Sequence, residues 1–306
     1  MKILITGANG LLGQKLIRRL QNQPGIICLA AGRGPNRLTF REGYQYFELD
    51  LTIEQQVYKI LDTSRPDVII HTAAMTNVDA CETDQENCLK ANVNTVQYLV
   101  KTLSDLSNPS YRPHLIHLST DFIFDGTKGP LTEEETPNPL SYYAWSKLEA
   151  ENIIRQSDIH WAIARTVLVY GITDNMSRSN IVLWVRDNLS KGKTISVVDD
   201  QFRTPTLAED LAEGCYLIAE KKAQGIFNIS GKDFMSILEL AQKVAHHFQL
   251  STNLILPSKS ADIKQPAKRP PKTGFIIDKA RTILGYNPHS FEEGLALLEQ
   301  QINEQI

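Results

Sequence analysis

The chain has 306 residues, 42% hydrophobic and 22% charged, with a formal net charge of −3. That length can bury a sizeable core in one large or two unequal domains. The charge balance leaves no footprint for nucleic acid or an anionic membrane, and the one basic cluster, Lys268-Arg269-Pro270-Pro271-Lys272, is too short for that role. Met1 to Thr6 reads as a short buried strand, followed by Gly7-Ala8-Asn9-Gly10-Leu11-Leu12-Gly13 and a helical pattern from Gln14 to Leu20. A Gly-x-x-Gly-x-x-Gly loop between a strand and a helix is the context in which such a motif binds a dinucleotide. Gly7 allows the tight turn, Gly10 lets backbone approach a pyrophosphate, and Gly13 lets helix and strand pack closely. The helix N-terminus adds free N–H groups and a positive dipole end.

Strands and helices then alternate. Gly25 to Ala31 is a second apolar strand, Gln45 to Leu49 a short third, and Glu54 to Asp62 a helix. Val68-Ile69-Ile70-His71 is a buried strand, a helix is expected over about Gln85 to Leu106, and His114 to Leu118 is a strand delivering Ser119 and Thr120. Pro139 precedes a helix carrying Tyr143 and Lys147, and Trp161 to Val169 is a further strand. This is the pattern of an α/β, Rossmann, doubly wound parallel sheet, in which ligands bind at the carboxyl ends of strands. Gly7, Ala73 and Thr120 all fall at such ends.

Beyond Gly171 the rhythm changes. A polar loop and helix over 174–193, an amphipathic stretch over 237–248, a Pro-, Lys- and Ser-rich loop over 257–273 and short helices at 278–285 and 291–301 make a smaller C-terminal substrate-binding lobe. The expected division is a nucleotide-binding domain over 1–171 and the lobe over 172–306, with 225–230 returning as a strand to the main sheet. Cys28, Cys81, Cys88 and Cys215 show no metal-type pairing and suit free thiols in a reducing compartment. No apolar run reaches transmembrane length and no signal peptide is evident, so no membrane partner and a cytoplasmic location are expected.

Two further features bear on chemistry. The second strand ends Leu29-Ala30-Ala31-Gly32-Arg33-Gly34, with no Asp or Glu until Glu42. An acidic residue there would bond the ribose hydroxyl of NAD; an arginine suits a 2′-phosphate, so NADP is favoured, with NAD possible. Arg37 stands close behind Arg33, and Asp50 follows the third strand, where it could bond the adenine edge. Tyr143 and Lys147 lie one helical turn apart on one helix face. A neighbouring lysine is expected to lower the tyrosine pKa, and such a phenol can protonate a carbonyl as hydride arrives, with the Thr120 hydroxyl on the same oxygen. A Tyr-x-x-x-Lys spacing alone also occurs as an ordinary surface pair; the glycine loop upstream gives it weight. His71 and His117, on strands, read as satisfied core histidines.

From Met1 to about Asn303 the chain resembles an extended short-chain dehydrogenase/reductase, and most of all the dTDP-4-dehydrorhamnose reductase family. The glycine loop, Asp50-Leu51, 71–79 (His-Thr-Ala-Ala-Met-Thr-Asn-Val-Asp), Asn92, 119–126 (Ser-Thr-Asp-Phe-Ile-Phe-Asp-Gly), Tyr143 with Lys147, Arg165-Thr166, Tyr170-Gly171, Pro205-Thr206, Asp210-Leu211-Ala212 and Arg269-Pro270 carry the resemblance. It implies that Gly7, Asn9, Gly10, Leu11, Leu12 and Gly13 form the pyrophosphate loop, that Asp50 and Leu51 flank the adenine, and that Ala73, Ala74 and Met75, with Asn92, line the cofactor path. It implies Tyr143 as general acid, Lys147 on the nicotinamide ribose, Thr120 on the keto oxygen, and Asp121 and Phe122 beside a sugar. Two departures lie on the substrate side: Leu168 stands where the family usually has tryptophan, and Gln201-Phe202-Arg203-Thr204 replaces small residues. Arg203 resembles the arginine that other extended members aim at a substrate pyrophosphate, with Arg269 a second candidate; either could instead pair with Asp199, Asp200 or Glu209.

The expected function is NADPH-dependent reduction of a keto group on a nucleotide-activated sugar. The chain is expected to act without nucleic acid and as a possible homodimer. A nucleotide-sugar epimerase or dehydratase of the same fold, or a non-catalytic regulatory subunit such as that of methionine adenosyltransferase, which the fold also resembles, stand as alternatives.

Overall fold

A computed structural model describes residues 1–176 and 178–304. Ser177, in the expected 174–193 segment, and the last two residues of the expected lobe lie outside the described residues. In chain order the strands are β1 Lys2–Thr6, β2 Ile27–Gly32, β3 Tyr44–Glu48, β4 Val68–His71, β5 His114–Thr120, β6 His160–Thr166, β7 Val169–Tyr170, β8 Ile195–Val198, β9 Phe202–Arg203, β10 Thr206–Leu207, β11 Gly225–Asn228, β12 Met235–Ser236 and β13 Ile255–Ser258. The helices are α1 Leu11–Leu20, α2 Glu54–Ser64, α3 Val78–Thr83, α4 Gln85–Leu89, α5 Thr95–Leu106, α6 Tyr142–Arg155, α7 Ile181–Leu189, α8 Ala208–Lys221, α9 Ile237–His247 and α10 Phe291–Glu304.

Seven parallel strands form the main sheet in the order β11-β6-β5-β4-β1-β2-β3. The order reverses between β1 and β4, the switch point where a crevice opens at the strand carboxyl ends. The central strands are apolar on both faces, as a doubly covered parallel sheet requires. Ile3 and Ile5 of β1 pack into one buried cluster with Leu16 and Ile17 of α1 and Leu211 of α8. Leu4 points the other way, into a cluster with Leu61, Val96, Leu103 and Ile154 from α2, α5 and α6. The residues between the glycine loop and β6 therefore form one sandwich, and β11 joins it beside β6, with Gly225 opposite Ala162. A third cluster, including Val182, Val185, Leu240, Val244, Leu295 and Leu298, joins α7, α9 and α10.

Local signals explain the boundaries. α2 stops at Arg65, whose φ of 44° is left-handed, directly before Pro66. Ser236 and Glu239 make a reciprocal capping box at the start of α9. The single helix expected over 85–106 is divided: α4 passes through a π turn at Lys90–Asn94 into α5, and α3 precedes them. The expected loop over 257–273 begins inside β13, which pairs with β8 through Pro257 and Val197. Pro257 is tolerated because its strand has a partner on one side only. α8 carries Ala212, Cys215 and Ala219 into the core, small residues that blur the apolar stripe which marks a helix in sequence. No helix among the described residues is long and apolar enough to cross a membrane.

His114 at the start of β5 is buried, and burial lowers its pKa from 6.5 to about 4. The unfolded imidazole therefore binds protons before the folded one does. Stability from this group is present above pH 6.5 and is lost as pH falls toward about 4, by at most about 1.4 kcal/mol per pH unit. Urea titrations at pH 7 and pH 5 should show a smaller loss for His114→Leu than for the wild type. An equal or larger loss in the variant contradicts this assignment.

Candidate active site

The glycine loop runs from the end of β1 into α1. Gly7 has a φ of 71°, and a Cβ there would lie 2.6 Å from the Ala73 nitrogen. A Cβ on Gly13 would lie 2.3 Å from the Gly7 carbonyl oxygen. Both positions exclude any side chain, so the loop can sit tight against the end of β4 and the first turn of α1. Gly10 is exposed, and only the Gly7 carbonyl would lie near its Cβ, at 3.3 Å. The first turn of α1 has no capping side chain and no acidic residue, so its N–H groups and dipole end are available to an anion. Leu11 and Leu12 are half-buried over that turn.

Asn9 ties this loop to the end of β2. Its Nδ2 donates to the Arg33 carbonyl at 3.1 Å and the Pro35 carbonyl at 3.0 Å, and its Oδ1 accepts from the Arg37 amide at 3.0 Å. Arg33 is thereby held at the rim with its side chain exposed. Asp50 uses its carboxylate on the Thr52 amide at 2.9 Å and the Thr52 hydroxyl at 2.8 Å, an Asx turn that fixes the segment after β3, and Leu51 is buried beside it. The residues present fit a dinucleotide: a side-chain-free cradle, an uncapped helix start and a cation at the end of β2.

Asn92 links this cradle to α6. Its Oδ1 accepts from the Met75 amide at 2.7 Å, and its Nδ2 donates to the Met75 carbonyl at 3.1 Å and to Ser146 Oγ at 3.0 Å. Ser146 Oγ in turn donates to the Tyr143 carbonyl at 2.7 Å. The π turn carries Asn92 inward, a recurrent use of such turns at functional sites. Ala73, Ala74 and Met75 thus form a braced ledge between Gly7 and α6.

Ser141 caps α6 by accepting from the Ala144 amide at 3.3 Å. Tyr143, Ser146, Lys147 and Glu151 then line its buried face. Burial pushes the Tyr143 phenol above its ordinary range; the Thr120 hydroxyl offsets part of this, and Asp121 adds to it. This corrects the expectation of a lysine-lowered tyrosine. The Lys147 ammonium lies 3.2 Å from His117 Nε2, and burial brings the Lys147 pKa down to about 8. A phenol that keeps its proton at neutral pH is nonetheless the form that ketone reduction requires. His117, set aside in sequence as a core histidine, therefore touches the candidate machinery. His71, ring-stacked on it with centroids 5.4 Å apart, meets Thr6 Oγ1 at 2.7 Å through Nδ1.

Glu151 and Arg165 anchor the helix to β6. Arg165 Nε and Nη2 reach the two Glu151 oxygens at 3.0 and 2.7 Å, with Arg165 1% and Glu151 0% exposed. Ser146 and Glu151 continue the Tyr143–Lys147 stripe at helical spacing, the signal by which the sequence could have revealed them.

At the carboxyl end of β5, Thr120 Oγ1 donates to Asp121 Oδ1 at 3.0 Å and accepts from the Phe122 amide at 3.2 Å. Phe122 meets Tyr143 edge to face, with centroids 6.2 Å apart. The structure differs from the expected open Arg203. That guanidinium is 2% exposed, lies 3.6 Å from Asp121, and donates to the carbonyls of Phe202, Pro270 and Pro271 at 2.7, 2.7 and 3.1 Å. Thr273 also donates to Asp121, so Arg203 braces the 270–273 loop against the residue that bonds Thr120. Arg269 grips both Asp79 oxygens, at 3.1 and 2.6 Å. Neither arginine pairs with Asp199, Asp200 or Glu209. Leu168 lies between β6 and β7 with a φ of 40°, a costly conformation for leucine that re-aims the chain into β7.

Arg165→Met leaves Glu151 buried without its partner and should cost about 3–5 kcal/mol of stability in urea unfolding. The double variant Glu151→Leu/Arg165→Met should recover most of that loss. A single variant as stable as the wild type contradicts the anchoring role.

The family model described as the RmlD substrate binding domain matches residues 1–303. A probable low-salt glycan biosynthesis reductase of Haloferax volcanii is 29% identical, covering 99% of this chain and 99% of the relative. The methionine adenosyltransferase 2 subunit beta of Bos taurus is 30% identical, covering 92% of this chain and 82% of its own length. The crystal structure of a dTDP-4-dehydrorhamnose reductase of Bacillus anthracis in complex with NADP is 25% identical, with a TM-score of 0.82, covering 98% of this chain and 99% of that one. The chain belongs to the RmlD substrate-binding-domain family and is an NAD(P)-dependent oxidoreductase of the extended short-chain dehydrogenase/reductase type.

Proposed function

We propose that the chain reduces a keto group on a nucleotide-activated sugar, drawing hydride from NADPH. The observation that carries this reading is Thr120 of β5 against Tyr143, with Lys147 on the same buried face of α6, in a sheet whose switch point holds a side-chain-free glycine cradle. The similarity to an NADP-bound dTDP-4-dehydrorhamnose reductase supports it. NADPH, when bound, supplies the hydride to the carbonyl carbon. Gly7, Gly10 and the α1 N-terminus hold the pyrophosphate; Arg33 meets the 2′-phosphate; the ledge of Ala73, Ala74 and Met75 seats the ribose path, with Asp50 and Leu51 toward the adenine. Tyr143 gives its proton to the carbonyl oxygen, Thr120 bonds the same oxygen, and Lys147 holds the ribose and favours the phenolate left behind. Preorganised donors of this kind stabilise the developing alkoxide. Asp121, Phe122 and Leu168 border the sugar. Arg203 serves the substrate side by holding the 270–273 loop, and Arg269 acts through its pair with Asp79.

A panel of dTDP- and UDP-linked keto sugars scored for NADPH oxidation tests the reading. Tyr143→Phe should lower turnover about 10²–10⁴-fold while cofactor binding holds. A Tyr143→Phe enzyme with near wild-type turnover overturns the acid assignment. For the cofactor, Arg33→Ala should weaken NADPH by about 1.5–3 kcal/mol and leave NADH nearly unchanged. A wild type that prefers NADH overturns the assignment of Arg33.

The 30% identity to a methionine adenosyltransferase beta subunit favours one second reading, a nucleotide-binding subunit of another enzyme. Tight NADPH binding without oxidation by any keto-sugar nucleotide would favour it.

A further inference from the structure

We infer that His117 is a positioning residue: its unprotonated Nε2 accepts a hydrogen bond from the Lys147 ammonium, keeping that ammonium charged and aimed within the site. The inference deepens the proposed reductase reading and rests on it for what Lys147 does. Lys147 is 4% exposed and His117 0% exposed, and their nitrogens lie 3.2 Å apart. An ammonium has three donors and no acceptor, so the shared bond requires a neutral ring with its proton on Nδ1. Charge around the pair favours the neutral ring, and its Nδ1 has no hydrogen-bond partner among the described residues. Burial, and then Lys147, hold His117 neutral, and His71, stacked against it, is neutral for the same reasons.

The groups facing Lys147 leave His117 as its partner. On its own helix Glu151 supports the positive charge but gives both oxygens to Arg165 of β6. From α4 the Cys88 thiol faces it, and from β4 His71 contributes only as a neutral ring. Burial works against the ammonium, and an acceptor within hydrogen-bond distance offsets that cost. Removing the acceptor should make Lys147 easier to deprotonate. A ring that only filled space would have no such effect.

Two measurements test this. In ¹⁵N-histidine-labelled, ligand-free protein, with the His117 signals assigned by their loss in His117→Leu, long-range ¹H–¹⁵N spectra at pH 7 should show the proton on Nδ1 and a bare Nε2. A proton on Nε2 overturns the inference. The second measurement is NADPH affinity from pH 6 to pH 9 in a Cys88→Ser background, which removes the thiol from the titration. Affinity should fall as pH rises through the lysine midpoint. His117→Leu should move that midpoint down by about one pH unit and weaken binding about fivefold at pH 8. His117→Gln, whose amide oxygen can accept, should restore most of the shift. An unmoved midpoint in His117→Leu overturns the inference while leaving the reductase reading intact. Failure of the wild type to bind NADPH overturns the cofactor reading, and the tautomer then decides the His117–Lys147 bond by itself.

Discussion

The approach of Gly7 to the end of β4 is the contact on which the rest of the site depends. With 2.6 Å between a Gly7 Cβ and the Ala73 nitrogen, no other residue lets β1 and β4 part at the switch point with the glycine loop seated between them. Two residues beyond Ala73, a series of hydrogen bonds runs from Met75 through Asn92 and Ser146 to the Tyr143 backbone. The cofactor cradle and the proposed proton donor are thus held by one rigid set of partners rather than by two loops that move independently. The buried Glu151–Arg165 pair fixes the far end of the same helix to β6.

Much of this was legible in the sequence, for identifiable reasons. The central strands are apolar on both faces, so runs such as Val68-Ile69-Ile70 announce a covered parallel sheet without any alternation to decode. The glycine spacing and the Tyr143–Lys147 turn are local, and local geometry survives folding. What was not legible depends on partners distant in the chain. Arg203 reads as an open cation until β9 is seen to sit under the 270–273 loop, 67 residues away from Arg203 at its Pro270 contact. His117 reads as core until α6 lays Lys147 across β5. The tyrosine pKa followed the same pattern: a lysine one turn away suggested stabilisation of the phenolate, whereas burial of the ring, with Asp121 beside it, raises the pKa. α8 escaped notice because alanine, cysteine and glycine line much of its buried face.

The proposed substrate side is built differently from the proposed cofactor side. Asp121 collects Thr120, Thr273 and Arg203 in one buried cluster, so the residue proposed to hold the keto oxygen is tied to the 270–273 loop. Through Asp121, changes in that loop can reach Thr120 without touching the cofactor residues. A leucine in a left-handed conformation at 168 lies where the chain leaves β6 for β7. Specificity for one sugar or another is therefore expected to reside in Leu168, Phe122 and the 270–273 segment, while the glycine cradle and Tyr143 remain indifferent to it.

The central claim is that hydride passes from the nicotinamide to a sugar carbonyl carbon while Tyr143 protonates its oxygen. It is tested most directly by isotope transfer. NADPH carrying deuterium at the transferring position of C4 is incubated with the protein and dTDP- or UDP-linked keto sugars, and the recovered sugars are analysed by mass spectrometry and NMR. The account predicts one deuterium at the former carbonyl carbon of one substrate, in a single configuration, and no transfer by Tyr143→Phe above about a hundredth of the wild-type rate. Saturation of the site by NADPH with no deuterium reaching any keto sugar would contradict it.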